Sequence, residues 1–130
     1  MKNFTLILFI SLFVTNTLSA QLNERALQMK NSKEEFMRDY YSGIRTYAID
    51  KWDGDNSMIV YTINKQATSF FEIFMSGKYK EIDPNFKVKT INKWHVKKFG
   101  KLDFKKLPKA VIDWSMVEYE YKKQKKNSDY

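Results

Sequence analysis

The sequence predicts an all-α fold, an antiparallel four-helix bundle, on three observations. Apolar residues recur at steps of three and four rather than two. Glycine is scarce, and Gly54, Gly77 and Gly100 fall where apolar periods end. Helix C-caps look like this, because glycine takes up the left-handed conformation at little cost. The stretches between the periodic segments are short, which sets neighbouring helices antiparallel. Pro84 and Pro108 follow the last two of these glycines and are placed to open helices, where a missing N–H costs nothing.

Taken in chain order, the first element is expected to be removed. Met1-Lys2-Asn3, the apolar run Phe4 to Val14 and the polar stretch ending Leu18-Ser19-Ala20 have the three parts of a secretory signal. The apolar run is shorter than the roughly 20 residues that span a bilayer, so cleavage after Ala20 is expected rather than anchoring. The chain is then exported, periplasmic or extracellular, with residues 21–130 as a single helical domain and no transmembrane segment after cleavage. Without cysteine it is neither a diacylated lipoprotein nor a disulfide-stapled mini-domain, and burial must supply its stability.

Helix one is expected over 22–50: Leu22, Ala26, Met29, Phe36, Tyr40, Ile44 and Tyr47 form its stripe, interrupted by Lys33 and widened by Met37, Tyr41 and Ala48. Helix two, 56–76, places Ile59, Ile63, Phe70 and Phe74 on one face. Its opposite face is polar, with Thr62, Asn64, Lys65, Gln66, Thr68, Ser69 and Glu72. Helix three, 84–99, sets Val88, Ile91, His95 and Phe99 against Lys89, Lys93 and Lys97. Helix four, 108–126, advances through Ala110, Trp114, Val117 and Tyr121. The alternative is an α+β helix-plus-sheet cone with 58–64 and 115–122 as strands, because Val117, Tyr119 and Tyr121 also alternate with Glu118, Glu120 and Lys122.

The chemical motifs are sparse. Asp53, Asp55 and Ser57 match the first ligands of a calcium loop, but Met58 and Asn64 stand where its turn glycine and bidentate glutamate belong. The stretch reads instead as a helix end at Gly54 followed by a helix cap. His95 is the only histidine and builds no zinc site alone. Haem ligation by His95 and Met29 rests on nothing beyond fold analogy. With neither cysteine nor a nucleophile elbow, and with carboxylates at Glu34-Glu35, Asp50-Asp53 and Glu118-Glu120 reading as solvated, catalysis has no visible machinery and no cofactor or metal site is assigned.

Charge is the most specific feature. Beyond residue 20 there are 22 basic and 15 acidic residues, and the whole excess lies in 78–109, with eleven lysines against three acids. Phe86, Trp94, Phe99 and Phe104 are interleaved there, a combination found at nucleic-acid grooves. Export and the lack of arginine in the stretch speak against nucleic acid. They favour an acidic protein partner or an anionic envelope surface. The expected function is therefore a non-catalytic binding domain acting through Lys87, Lys89, Lys93, Lys97, Lys98, Lys101, Lys105 and Lys106. The alternative is a small periplasmic enzyme or a ligand or haem carrier with a site between helices, lined by His95, Tyr40, Tyr41 and Tyr61.

Overall fold

The structure is a computed structural model that describes residues 21–128; the expected secretory signal lies outside the described residues. Its α-helices are α1 (Glu24–Lys30), α2 (Glu35–Lys51), α3 (Asn56–Phe74), α4 (Pro84–Lys93) and α5 (Trp114–Ser128). Two 3-10 turns, Lys97–Phe99 and Phe104–Lys109, stand between α4 and α5. The fold is all-α: no strand occurs among the described residues, and the sole extended pairing there is a one-residue antiparallel bridge between His95 and Ile112. Both strands of the alternative cone are helical. In α5, Val117 and Tyr121 are buried while Tyr119 between them is exposed, as helical spacing requires and strand alternation forbids.

Three element boundaries differ from those expected. The first helix is two helices, broken where Lys33 interrupts the apolar stripe. Asn23 caps α1 by accepting the Ala26 N–H at 2.9 Å, α1 closes at Asn31, and Ser32 Oγ accepts the Glu34 N–H at 3.1 Å. The third helix stops at Lys93, because Val96 and Asp113 donate their N–H groups to Val111 and Trp94 across the bridge, which draws residues 94–96 out of the helix. The fourth starts at Trp114 rather than 108. Pro108 sits inside the second 3-10 turn, whereas Pro84 does open its helix.

The core forms around α3, which touches α1, α2 and α5. Phe70 of α3 meets Tyr40 of α2 at 4.6 Å and Trp114 of α5 at 5.8 Å between ring centroids, with Phe74 completing the group. Tyr40 lies near the start of α2 and its partners near the end of α3, so these two helices run antiparallel. Three neighbours also bury part of the polar face of α3: Thr62, Gln66 and Ser69 are buried, while Lys65 and Thr68 on the same face stay exposed. Gly43, buried in the middle of α2, lets the chain at Ala110 approach; a Cβ there would stand 2.6 Å from the Ala110 carbonyl oxygen. No helix among the described residues is long and apolar enough to cross a membrane.

Candidate functional site

The polar groups buried on α3 explain how the lysine-rich segment is held. Asp113 stands at the start of α5 and its carboxylate is a hub. One oxygen accepts from Gln66 Nε2 at 2.8 Å, from Ser115 Oγ at 2.9 Å and from the Met116 N–H at 3.3 Å; the other accepts from the Tyr47 hydroxyl at 2.9 Å. Gln66 Oε1 in turn accepts the Trp114 N–H. The hub fixes the point at which the chain enters α5 against both α2 and α3. Burial and the Asp113 carboxylate together push the Tyr47 phenol far above its ordinary range.

Directly before this hub, the His95–Ile112 bridge pinches off a loop over 97–110. That loop carries six lysines and one acid, Asp103. Gly100, with φ of 115°, turns the chain between the two 3-10 turns, a conformation that favours glycine. Lys98 pairs with Asp50 at the end of α2. At the near end of the loop, Glu120 of α5 accepts from Lys93 at 3.0 Å and from the Trp94 indole N–H, tying α4 to α5. Burial alone would raise the Glu120 carboxyl, but these two donors and the neighbouring lysines bring it below its usual range.

Lys97, Lys101, Lys105, Lys106 and Lys109 are exposed and form no ion pair among the described residues. Four of them surround His95. A cleft of about 520 Å³ is lined by Asn92, His95, Lys97, Lys101 and Leu102. A smaller one of about 160 Å³ shares His95 and Lys101 and adds Asp103, Lys106 and Lys109. His95 is only 8 % exposed. Burial, with the Lys97 ammonium beside it, holds its imidazole below the ordinary range. The arrangement concentrates donors and positive charge around a recessed ring, suited to receiving an anion.

The remaining site residues are dispersed. Lys89 is exposed on α4; Lys97 has left that helix, so Lys89, Lys93 and Lys97 do not share one helical face. The opposing residues Val88 and Phe99 are exposed as well, at 47 % and 42 %. Lys87 lines an apolar groove of about 300 Å³ with Phe74, Val88, Phe104, Leu107 and Tyr121. The set His95, Tyr40, Tyr41 and Tyr61 forms no common cavity among those described. Tyr40 belongs to the aromatic core, where burial raises its phenol, as it does that of Tyr41 against the opposing charge of Arg45. Tyr61 is exposed and opens on a separate groove with Asn23, Asn64 and Thr68.

The comparisons decide nothing about identity. Against known proteins the chain matches no family model, and neither curated sequences nor solved structures give a significant match. The site is therefore read from its own geometry. Sequence reasoning passed over Asn92 and Lys109, which line the clefts, and the Gln66–Asp113–Tyr47 hub, which carries no motif. It also took Glu118 as solvated. That carboxylate is buried, accepts from the Tyr79 hydroxyl at 2.8 Å and lies 3.7 Å from Lys122. The acidic stretch after α2 is helix punctuation: Gly54 has φ of 83° and Asp55 accepts the Met58 N–H at 3.1 Å.

Proposed function

We propose that the protein is an exported, non-catalytic binding domain that engages an anionic partner through the lysine-rich segment 87–109. The observation that supports this most is the loop over 97–110, whose lysines, Lys98 excepted, are exposed and unpaired among the described residues. Exposed like charges gathered on one loop repel one another, so a loop that only needed solubility gains nothing from keeping acids away. The segment is fixed to the helices by the Asp113 hub, the Glu120 contacts and the Lys98–Asp50 pair, so its charges are presented on a set framework. In an exported setting the matching surfaces are an acidic protein or an anionic envelope. We read α2, α3, α4 and α5 as the four helices of the expected bundle, with α1 as an added two-turn helix packed on α2 and α3.

Binding to phosphatidylglycerol vesicles tests the reading. Residues 21–130 should associate at low salt and release as salt rises, since the contacts are screened over about 10 Å at 0.1 M. Lys97→Gln, Lys101→Gln, Lys105→Gln, Lys106→Gln and Lys109→Gln combined should weaken association with little change in melting temperature. Equal binding to phosphatidylcholine vesicles, indifferent to salt and to the variant, sinks the reading.

A further inference from the structure

We propose that the cleft around His95 is a binding site for a phosphate monoester, seated on the His95 imidazole and gripped by Lys97, Lys101, Lys106 and Lys109. The proposal rests on the anionic-partner reading above and names the group that the basic segment receives. The histidine carries it furthest. At 8 % exposure His95 is more than nine-tenths buried, yet its ring hydrogen-bonds to no described residue. Buried polar side chains normally find partners. Here the only fully buried side-chain nitrogen or oxygen without one, among the described residues, is Trp52 Nε1. The unpartnered His95 nitrogens therefore reach the cleft that His95 lines, not the core.

The shape and the charge agree with this. Two lobes, about 520 and 160 Å³, share His95 and Lys101, which places the imidazole and one ammonium at their junction. The other charges facing the junction are Lys97 from the first 3-10 turn, Lys106 and Lys109 from the second, and the single carboxylate of Asp103. Lysines act as mobile point charges that suit a tetrahedral oxyanion, and the loop supplies its positive charge through lysine alone. A neutral imidazole offers one donor and one acceptor. A hydrogen phosphate monoester presents both a charged oxygen and a P–OH, whereas sulfate presents acceptors alone. The larger lobe leaves room for the alcohol part of the ester.

Because His95 is the single histidine, its imidazole C–H signals in a proton–carbon NMR spectrum report on the cleft directly. Glycerol 3-phosphate and inorganic phosphate, added at constant ionic strength, should shift these signals saturably and raise the pH at which the ring titrates. Sulfate, which offers the imidazole no donor, should shift them only at much higher concentration, and acetate should leave them in place. His95→Gln should weaken glycerol 3-phosphate binding about tenfold or more, the scale of one charge-assisted hydrogen bond. Lys101→Gln, on an exposed side chain, should do likewise and serves if the histidine variant fails to fold. Phosphatidic acid vesicles separate a lipid source from a soluble one. A headgroup ligand predicts tighter binding to them than to phosphatidylglycerol, a preference lost in His95→Gln, and a soluble ligand predicts saturation by glycerol 3-phosphate without that preference. If no monoester moves His95 and phosphatidic acid gains no preference while phosphatidylglycerol still binds, the cleft proposal is overturned and the anionic-partner reading stands. If no anionic vesicle and no monoester binds, both fall.

Discussion

His95 and Gly43 show how much of the site turns on single residues. The imidazole is held below its ordinary range by burial and by Lys97, so the folded chain resists a proton that the unfolded chain accepts. The unfolded state binds more protons in that window, so stability present above the unfolded value near 6.5 is lost as pH falls through the depressed folded value. The melting temperature should decline below about pH 6.5, and His95→Gln should flatten that decline. A slope unchanged in the variant assigns the effect elsewhere. Glu120, held low by its donors despite burial, adds separate stability that is present above the ordinary carboxylate value near 4.5 and is lost as pH falls below it. Gly43 is the opposite case. Alanine is the better helix former by about 1 kcal/mol, yet Gly43→Ala should destabilise by about 1–3 kcal/mol. Its methyl group would meet a backbone carbonyl at 2.6 Å, and a carbonyl within a closed loop has little room to yield. Ser42→Ala, on an exposed neighbour, provides the control in thermal melts. Because Ala110 lines the smaller lobe, Gly43→Ala should also disturb the His95 NMR signals.

Helix ends were legible in the sequence where local chemistry decides them, and illegible where a distant partner does. Gly54, Asp55 and Pro84 mark their ends by their own backbone preferences, and the structure places them as read. Gly100 and Pro108 follow the same pattern, but Gly100 closes the first 3-10 turn and Pro108 lies inside the second, because the His95–Ile112 bridge overrides local preference between 94 and 113. The burial of Thr62, Gln66 and Ser69 on the polar face of α3 was illegible for a similar reason. Periodicity reports which side is apolar, but it does not reveal that a third helix brings Asp113 to satisfy Gln66. The two caps should therefore differ in cost. Asp55→Ala removes an exposed cap, worth about 1 kcal/mol. Asp113→Ala removes a cap, strands the Tyr47 hydroxyl and leaves Gln66 Nε2 with Ser115 Oγ alone, for about 2–4 kcal/mol in denaturant unfolding. Equal costs would show that the hub adds nothing beyond capping. The lysine cluster was legible as charge, but its focus on His95 was not, since the helix expected through Phe99 carried His95 on an apolar face.

At the scale of the whole molecule, far-ultraviolet circular dichroism of residues 21–130 should show the strong double minimum of a helical protein, with helix well above the one-third typical of globular proteins. A strand-like spectrum would remove the frame on which the cleft is built. The hub also has a consequence in time. Asp113 reaches Gln66 across 47 residues and Tyr47 across 66, so the bonds that lock α5 join parts of the chain made far apart during synthesis. Closing such distant contacts is entropically costly and slow compared with winding a helix. The α2–α3 hairpin needs only the short link Trp52–Asp55 and is available early, while the loop over 97–110 stays open until Ile112 and Asp113 dock. In refolding experiments amide protection in α2 and α3 should therefore precede the native His95 resonance. The chain would acquire its helices first and its basic cleft last, so a partially folded chain would carry its lysines without the recess that organises them.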